Sequence, residues 1–311
     1  MINRRRFALI SIMALSFAFP CLSGSLSGRT AQEQKPEPKQ EEKEEQKPKK
    51  KPKEPRAIRV LFIGGSFIYT NNLPDIYGKM AQAGGAGMTE TGMVALPGWS
   101  LKDHWQKGDA HRVMRQKDWN FVVLQDQSLI GGGAGPEGGP GGSALESFRP
   151  FARNWAQVVQ DVRGTPVFFL TWSRRDTPDA QALLNSAYFD VAKEVGAKVA
   201  GVGLAWSRVQ KEHPEIELYA ADGINPSPAG SYLAACAIYA TMFNRNPEGI
   251  PAKLGGRPVD PATGKVVSEK LEFLVDLPPE QAKVLQQAAW ETKKLLDKNR
   301  GYLDESKPKK R

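Results

Sequence analysis

Residues 58–63 read Ile-Arg-Val-Leu-Phe-Ile, a mostly apolar run without regular polar alternation, and they end abruptly in Gly64-Gly65-Ser66. A strand of this composition is buried on both faces, as in a parallel sheet with helices on either side. The pattern recurs: further strands are predicted at 91–96, 120–124, 166–171 and 198–202. Helices are predicted at 72–83, with Pro74 in the first turn, at 101–116 around Trp105, Val113 and Met114, and at 144–163, 179–195 and 226–243. Strand and helix alternate through about 180 residues, which predicts an α/β fold, a three-layer α/β/α sandwich around a parallel sheet. A polar-faced helix at 279–298 is expected to cap the body.

Open parallel sheets gather ligands at the carboxyl ends of their strands. Ser66, the pair Pro97-Gly98 and the stretch 125–128 all follow predicted strands directly, so the fold can bring them together. The glycine-dense stretch 131–142 lacks the spacing and the Gly-Lys-Ser or Gly-Lys-Thr ending of a phosphate loop, and reads as a flap beside a site.

The ends of the 311-residue chain differ in kind from its middle. Arg4, Arg5 and Arg6 precede an apolar run from Phe7 to Phe19 and then small residues, the layout of an export signal over 1–31. Asn3-Arg4-Arg5-Arg6-Phe7 also resembles a twin-arginine signal, and an N-terminal membrane anchor is the alternative. Ala18-Phe19-Pro20 is no convincing lipobox for Cys21. Residues 32–56 are almost entirely Lys, Glu, Gln and Pro and have no apolar face, so they are expected to form a disordered tether. The folded part then divides into a body at 57–250 and a C-terminal extension at 251–300 that carries the capping helix, followed by a basic tail at 301–311.

The net charge of +9 resides in these ends. Arg4, Arg5, Arg6 and Arg29 supply four positives, the tether a net two and the tail four, which leaves 57–306 at about −1. A near-neutral body with basic ends lacks the footprint of a nucleic-acid binder. With the signal removed, no stable membrane span is expected. Cys236 is then the one remaining cysteine, which excludes an intrachain disulfide. It lies in an apolar run and reads as an inert buried thiol.

A serine after a glycine turn becomes a nucleophile when a base takes its proton and donors hold the oxyanion. Gly98 offers a backbone N–H and Gln127 a side-chain amide for that oxyanion. The loop Asp222-Gly223-Ile224-Asn225-Pro226-Ser227 offers an acid, Asp222, with Asn225 three residues on. Each residue also has a plainer reading: Ser66 and Gly98 as turn residues, Gln127 as a loop tie, Asp222 as the cap of the next helix. Trp99, Trp105, Trp172 and Trp206 lie at or near predicted strand ends, where they either stack on sugar rings or pack half-buried.

Together the blocks resemble the SGNH hydrolase superfamily, the GDSL-like esterases with a flavodoxin-like sandwich. The first block is Ile63-Gly64-Gly65-Ser66-Phe67, continuing Ile68-Tyr69-Thr70-Asn71-Asn72-Leu73-Pro74. The second is Pro97-Gly98-Trp99, with Gly98 where the family places its oxyanion glycine. The third is Leu124-Gln125-Asp126-Gln127-Ser128, with Gln127 in place of the usual asparagine, and the last is the 222–227 loop followed by Ala229-Gly230-Ser231-Tyr232. The likeness spans about residues 59–243. It implies a catalytic Ser66 and Asp222, and an oxyanion pair of Gly98 and Gln127. Taken with the export signal, it implies an esterase or deacetylase outside the cytoplasm, periplasmic, envelope-associated or extracellular, acting on acylated carbohydrate or envelope polymer.

Two departures stand out. Gly65 replaces the Asp or Asn that normally precedes the nucleophile, and Asn225 replaces the catalytic histidine. An amide accepts no proton near neutral pH, so Asn225 is no general base. The chain has three histidines. His104, six residues past Gly98, is the candidate substitute base, or else a surface or substrate-contacting residue. His111 and His213 read as exposed. Asp222 is a further, poor base. No cofactor is called for, and the sparse histidines show no metal-ligand spacing. The alternative function is a catalytically impaired member serving as a glycan-binding module.

Overall fold

The computed structural model of the protein describes residues 57–127 and 142–305. The expected export signal and tether, the glycine-dense stretch up to residue 141 and the end of the basic tail lie outside the described residues. Five parallel strands form the sheet: β1 (Ile58–Gly64), β2 (Thr89–Ala95), β3 (Phe121–Leu124), β4 (Thr165–Phe169) and β5 (Lys198–Ala200). Their order is β2-β1-β3-β4-β5. Val60 and Phe62 face one side of the sheet and Leu61 and Ile63 the other, all fully buried, which explains the lack of polar alternation.

The helices split between the two faces. On the Val60 and Phe62 side lie α2 (Leu73–Ala83), α7 (Val202–Glu212), α8 (Pro228–Phe243) and α9 (Pro279–Glu305). On the other side lie α3 (Leu101–Lys107), α4 (Ala110–Gln116), α5 (Gly142–Asp161) and α6 (Gln181–Val195). Helix α8 is apolar all round, and every residue from 229 through 240 is buried, as befits a helix packed among α2, α7 and α9. Among the described residues no helix is long and apolar enough to cross a membrane.

The chain leaves β1 for β2 on one side and returns to pair β3 on the other. That reversal is the switch point at which such sheets open a crevice. Ile63 pairs with Leu124, which sets the Gly64 turn beside Gln125.

Three elements differ from the sequence-based expectation. The helix expected over 101–116 is two, α3 and α4, broken at Gly108, which lies extended at φ −96 and ψ 164. A side chain at Gly108 would press within 3.0 Å of the His104 carbonyl. The strand expected over 198–202 stops at Ala200, and Val202 opens the unanticipated α7. Val202, Ala205, Trp206 and Val209 recur at helical spacing and are all buried, so the signal was present. The region after 250 adds an antiparallel pair, β6 (Lys253–Gly256) and β7 (Glu272–Asp276), short strands of which β6 ends in two glycines.

Candidate active site

The Ser66 turn is held from three directions. Ser66 opens a short helix, α1 (Ser66–Tyr69), directly after β1. The Gly64 carbonyl accepts from Leu96 N at 3.1 Å and from His104 Nε2 at 2.8 Å. The Gly65 N–H donates to Gln125 Oε1 at 2.7 Å. Gly64 must be glycine for this approach: a Cβ there would lie 2.5 Å from Gln125 Oε1 and 2.8 Å from the Gln125 carbonyl. Gly65 has a negative φ of −115, so its φ alone does not require glycine, but a Cβ there would lie 3.3 Å from the Trp99 carbonyl oxygen.

Gly98 sits in a turn closed by Trp99 N to Leu96 O at 3.2 Å. Pro97 precedes it and its own φ is +69, the arrangement of a type II turn. The side-chain amide of Gln127 donates to the Gly98 carbonyl, so the two expected oxyanion residues touch. Gly65, Ser66, Phe67, Gly98, Trp99, Gln125, Gln127, Arg174 and Ile224 line one cleft of about 180 Å³.

Asp126 fixes this side of the site. It is buried, accepting from Leu101 N at 3.0 Å and Gln127 N at 2.6 Å. It thereby ties the start of α3 to the end of β3. Burial pushes its carboxyl up to about 6, against the pull of those two N–H groups.

The late loop is closed on itself. Asp222 Oδ1 accepts from Ile224 N and Asn225 N, both at 2.8 Å, and Oδ2 accepts from Asn225 Nδ2 at 2.5 Å. Burial opposes ionisation of Asp222. The two backbone N–H groups, the Asn225 amide and the Arg174 charge outweigh it and hold the carboxyl below its ordinary range. Asn225 thus gives Asp222 an N–H, as a triad histidine gives one to its acid. Its Oδ1 is buried without a hydrogen-bond partner. Asn71 joins the two halves: at φ +56, its Nδ2 donates to Pro226 O at 3.1 Å and to Ser231 Oγ at 3.0 Å.

His104 is fully buried rather than at the surface. Because a carbonyl only accepts, Nε2 carries the proton in the bond to Gly64, and Nδ1 is left a bare, unpartnered nitrogen. Burial lowers its pKa, against the Gly64 bond and the Asp103 charge, and keeps the ring neutral. This geometry supports the nucleophile turn. His111 is half-buried and stacks on Trp155 at 4.3 Å, and His213 bonds Glu215 at 3.1 Å.

Of the four tryptophans expected near strand ends, Trp99 lines the cleft. Trp172 and Trp206 are fully buried and stacked at 3.9 Å, and Trp105 packs edge-on against Trp155. These three are packing residues. Cys236 is buried, and burial raises its thiol pKa. Sequence patterns assign no role to Arg174, Asn71 or Asp126. Position after a parallel strand was the available signal for Arg174 and Asp126; none marked Asn71.

No family model matches the sequence, and no curated protein matches it closely. Among solved structures, a protein of Slackia heliotrinireducens assigned to the SGNH hydrolases superposes with a TM-score of 0.51 at 25% identity, covering 60% of this chain and 100% of that one. A DUF4886 family protein from Bacteroides uniformis gives 0.53 at 18% identity, covering 76% of this chain and 95% of that one, a likeness of fold. A parallel sheet in the order β2-β1-β3-β4-β5, with its serine turn at the end of β1, makes this an SGNH-like protein.

Proposed function

We propose that the protein is an exported ester hydrolase, an esterase or deacetylase that removes an acyl group from carbohydrate or an envelope polymer through Ser66. The supporting observation is the single cleft that Ser66 shares with Gly98 and Gln127. In this reading Ser66 Oγ attacks the ester carbonyl carbon. The oxyanion is held by the Gly98 N–H and by the second N–H of the Gln127 amide, whose first is on the Gly98 carbonyl. Collapse releases the alcohol, its oxygen taking up the proton that Ser66 gave, and leaves an acyl-Ser66 that water cleaves to the carboxylic acid and free Ser66. His104 and Gln125 act as positioning residues for the turn.

The Ser66 proton is the weak point. With Asn225 where the base belongs, Asp222 is left as acceptor. Its carboxylate is a poor base because its pKa lies below the ordinary range. Turnover is therefore slow. Residues 1–31 direct export and 32–56 hold the body off the envelope. A second reading, a non-catalytic glycan-binding module, is favoured by the Asn225 to Asp222 bond, which occupies the acid without supplying a base.

Hydrolysis of a small aryl acetate by the wild type, Ser66→Ala and Asn225→His separates the two. The esterase reading expects slow wild-type turnover, abolished in Ser66→Ala and raised about 10²-fold or more in Asn225→His. Wild-type turnover at the level of Ser66→Ala, together with gain in Asn225→His, favours the binding module.

A further inference from the structure

The cleft has one charged residue among its described lining residues, Arg174. It belongs to a pair with contrasting environments. Arg175 bonds Glu217 at 2.6 Å and lies over the Tyr219 ring at 4.9 Å, so its charge is used within the protein. Among the described residues, the Arg174 guanidinium has one close ion pair, from Nε to Asp176 Oδ1 at 3.5 Å, too loose to be a hydrogen bond, and its charge also acts at longer range on the Asp222 carboxylate. The Asp176 side chain is 66% exposed, whereas that of Arg174 is 27% exposed. Its Nε is buried and makes no hydrogen bond. A buried guanidinium N–H left without a partner is costly unless something else satisfies it.

The backbone around Arg174 is pinned. Ser173 N donates to Gln181 Oε1 at 2.8 Å, Arg175 N to the Gly223 carbonyl at 3.0 Å, and Trp172 Nε1 to the Ile224 carbonyl at 3.0 Å. Arg174 is thus held between the end of β4 and the 222–225 loop, in a cleft otherwise lined by uncharged groups. A planar guanidinium fork in such a place matches a carboxylate. Trp99, half-buried in the same cleft, offers a face for a sugar ring.

We propose that Arg174 is a carboxylate anchor, and that the cleft takes an acyl ester carried on an anionic sugar of the uronic-acid type. This rests on the reading of the cleft as an ester site. The test uses an O-acetylated methyl glucuronoside and the matching O-acetylated methyl glucoside, which differ in the carboxylate alone. Binding is measured by calorimetry at low salt on Ser66→Ala, where turnover does not interfere. The glucuronoside is expected to bind at least about tenfold more tightly. The preference should vanish when Arg174→Met is added, and return in part with Arg174→Lys, which restores charge without the fork. Equal affinities, binding of neither sugar, or a preference that survives Arg174→Met overturns the proposal. The comparison of two sugars on Ser66→Ala stands even if the Arg174 variants fold poorly. Aryl acetate hydrolysis assayed in parallel keeps the readings apart: Ser66-dependent turnover without sugar preference sinks the anchor alone, and preference without turnover sinks the esterase alone.

Discussion

Two buried ionisable side chains, Asp126 and His104, shape the site and pull stability in opposite directions with pH. Asp126 has an ordinary value of 3.8 and a folded value of about 6. Its proton is held more tightly in the fold, so its contribution is full below 3.8 and is lost as pH rises through about 6. The difference is about two pH units, or about 3 kcal/mol. His104 acts in the reverse sense. Its folded pKa is lowered from 6.5, so acid favours the unfolded chain once pH falls below 6.5. Asp126→Asn should therefore lose the acid-side gain and keep the acid-side loss. Urea unfolding at about pH 4.5 and about pH 7 is expected to show the variant losing more stability on acidification than the wild type. An unchanged difference between the two pH values would contradict a buried, proton-holding Asp126.

Between residues and the whole, elements meet at the site through a few long-range ties. The segment after Ser66 reaches the 222–227 loop through Asn71, which bonds the Pro226 carbonyl and Ser231 Oγ. Asn71→Ala removes both bonds and leaves a non-glycine residue at φ +56. We expect a loss of about 1–3 kcal/mol in stability. In an active variant such as Asn225→His, kcat should fall more than KM rises, because Ser66 and residue 225 lose their common tether. Thermal unfolding and steady-state kinetics with the aryl acetate read both effects. A variant with unchanged kcat would show that the two elements are aligned by packing alone. The same scale shows how sequence patterns carry. Strands β1 and β3 were legible because burial on both faces leaves an unbroken apolar run. The break between α3 and α4 was not, because it depends on how closely Gly108 approaches the His104 carbonyl.

At the scale of the molecule, the C-terminal helix belongs to the core. Expected as a polar-faced cap on a body ending at residue 250, it buries one face: Leu285 is fully buried and Ala289 is 1% exposed, in the same cluster as Val60 and Phe62 of the sheet. Gln286 donates to the Tyr232 hydroxyl at 2.7 Å and to the Ile250 carbonyl at 2.7 Å. Leu285→Ala should cost about 2–5 kcal/mol, as for other deep core truncations. A single cooperative unfolding transition at lower temperature is the expected result. Separate melting of the helix, with the main transition unmoved, would contradict its place in that core.

The sequence by itself determined the parallel α/β sheet and a serine at its carboxyl edge, because apolar strands alternate with helices through about 180 residues and the first of them runs into Gly64-Gly65-Ser66. It also determined that residue 225 is no base, since that follows from the amide group alone. Tertiary structure decided the uses of the other polar groups. His104 lies under a carbonyl 40 residues away, Gln125 holds an N–H 60 residues away and Asn71 spans 155 residues to Pro226. Arg174 lines a cleft with Ser66, more than a hundred positions earlier in the chain. Periodicity reports which face of an element is buried. It carries no record of which distant partner a polar side chain meets once the layers close.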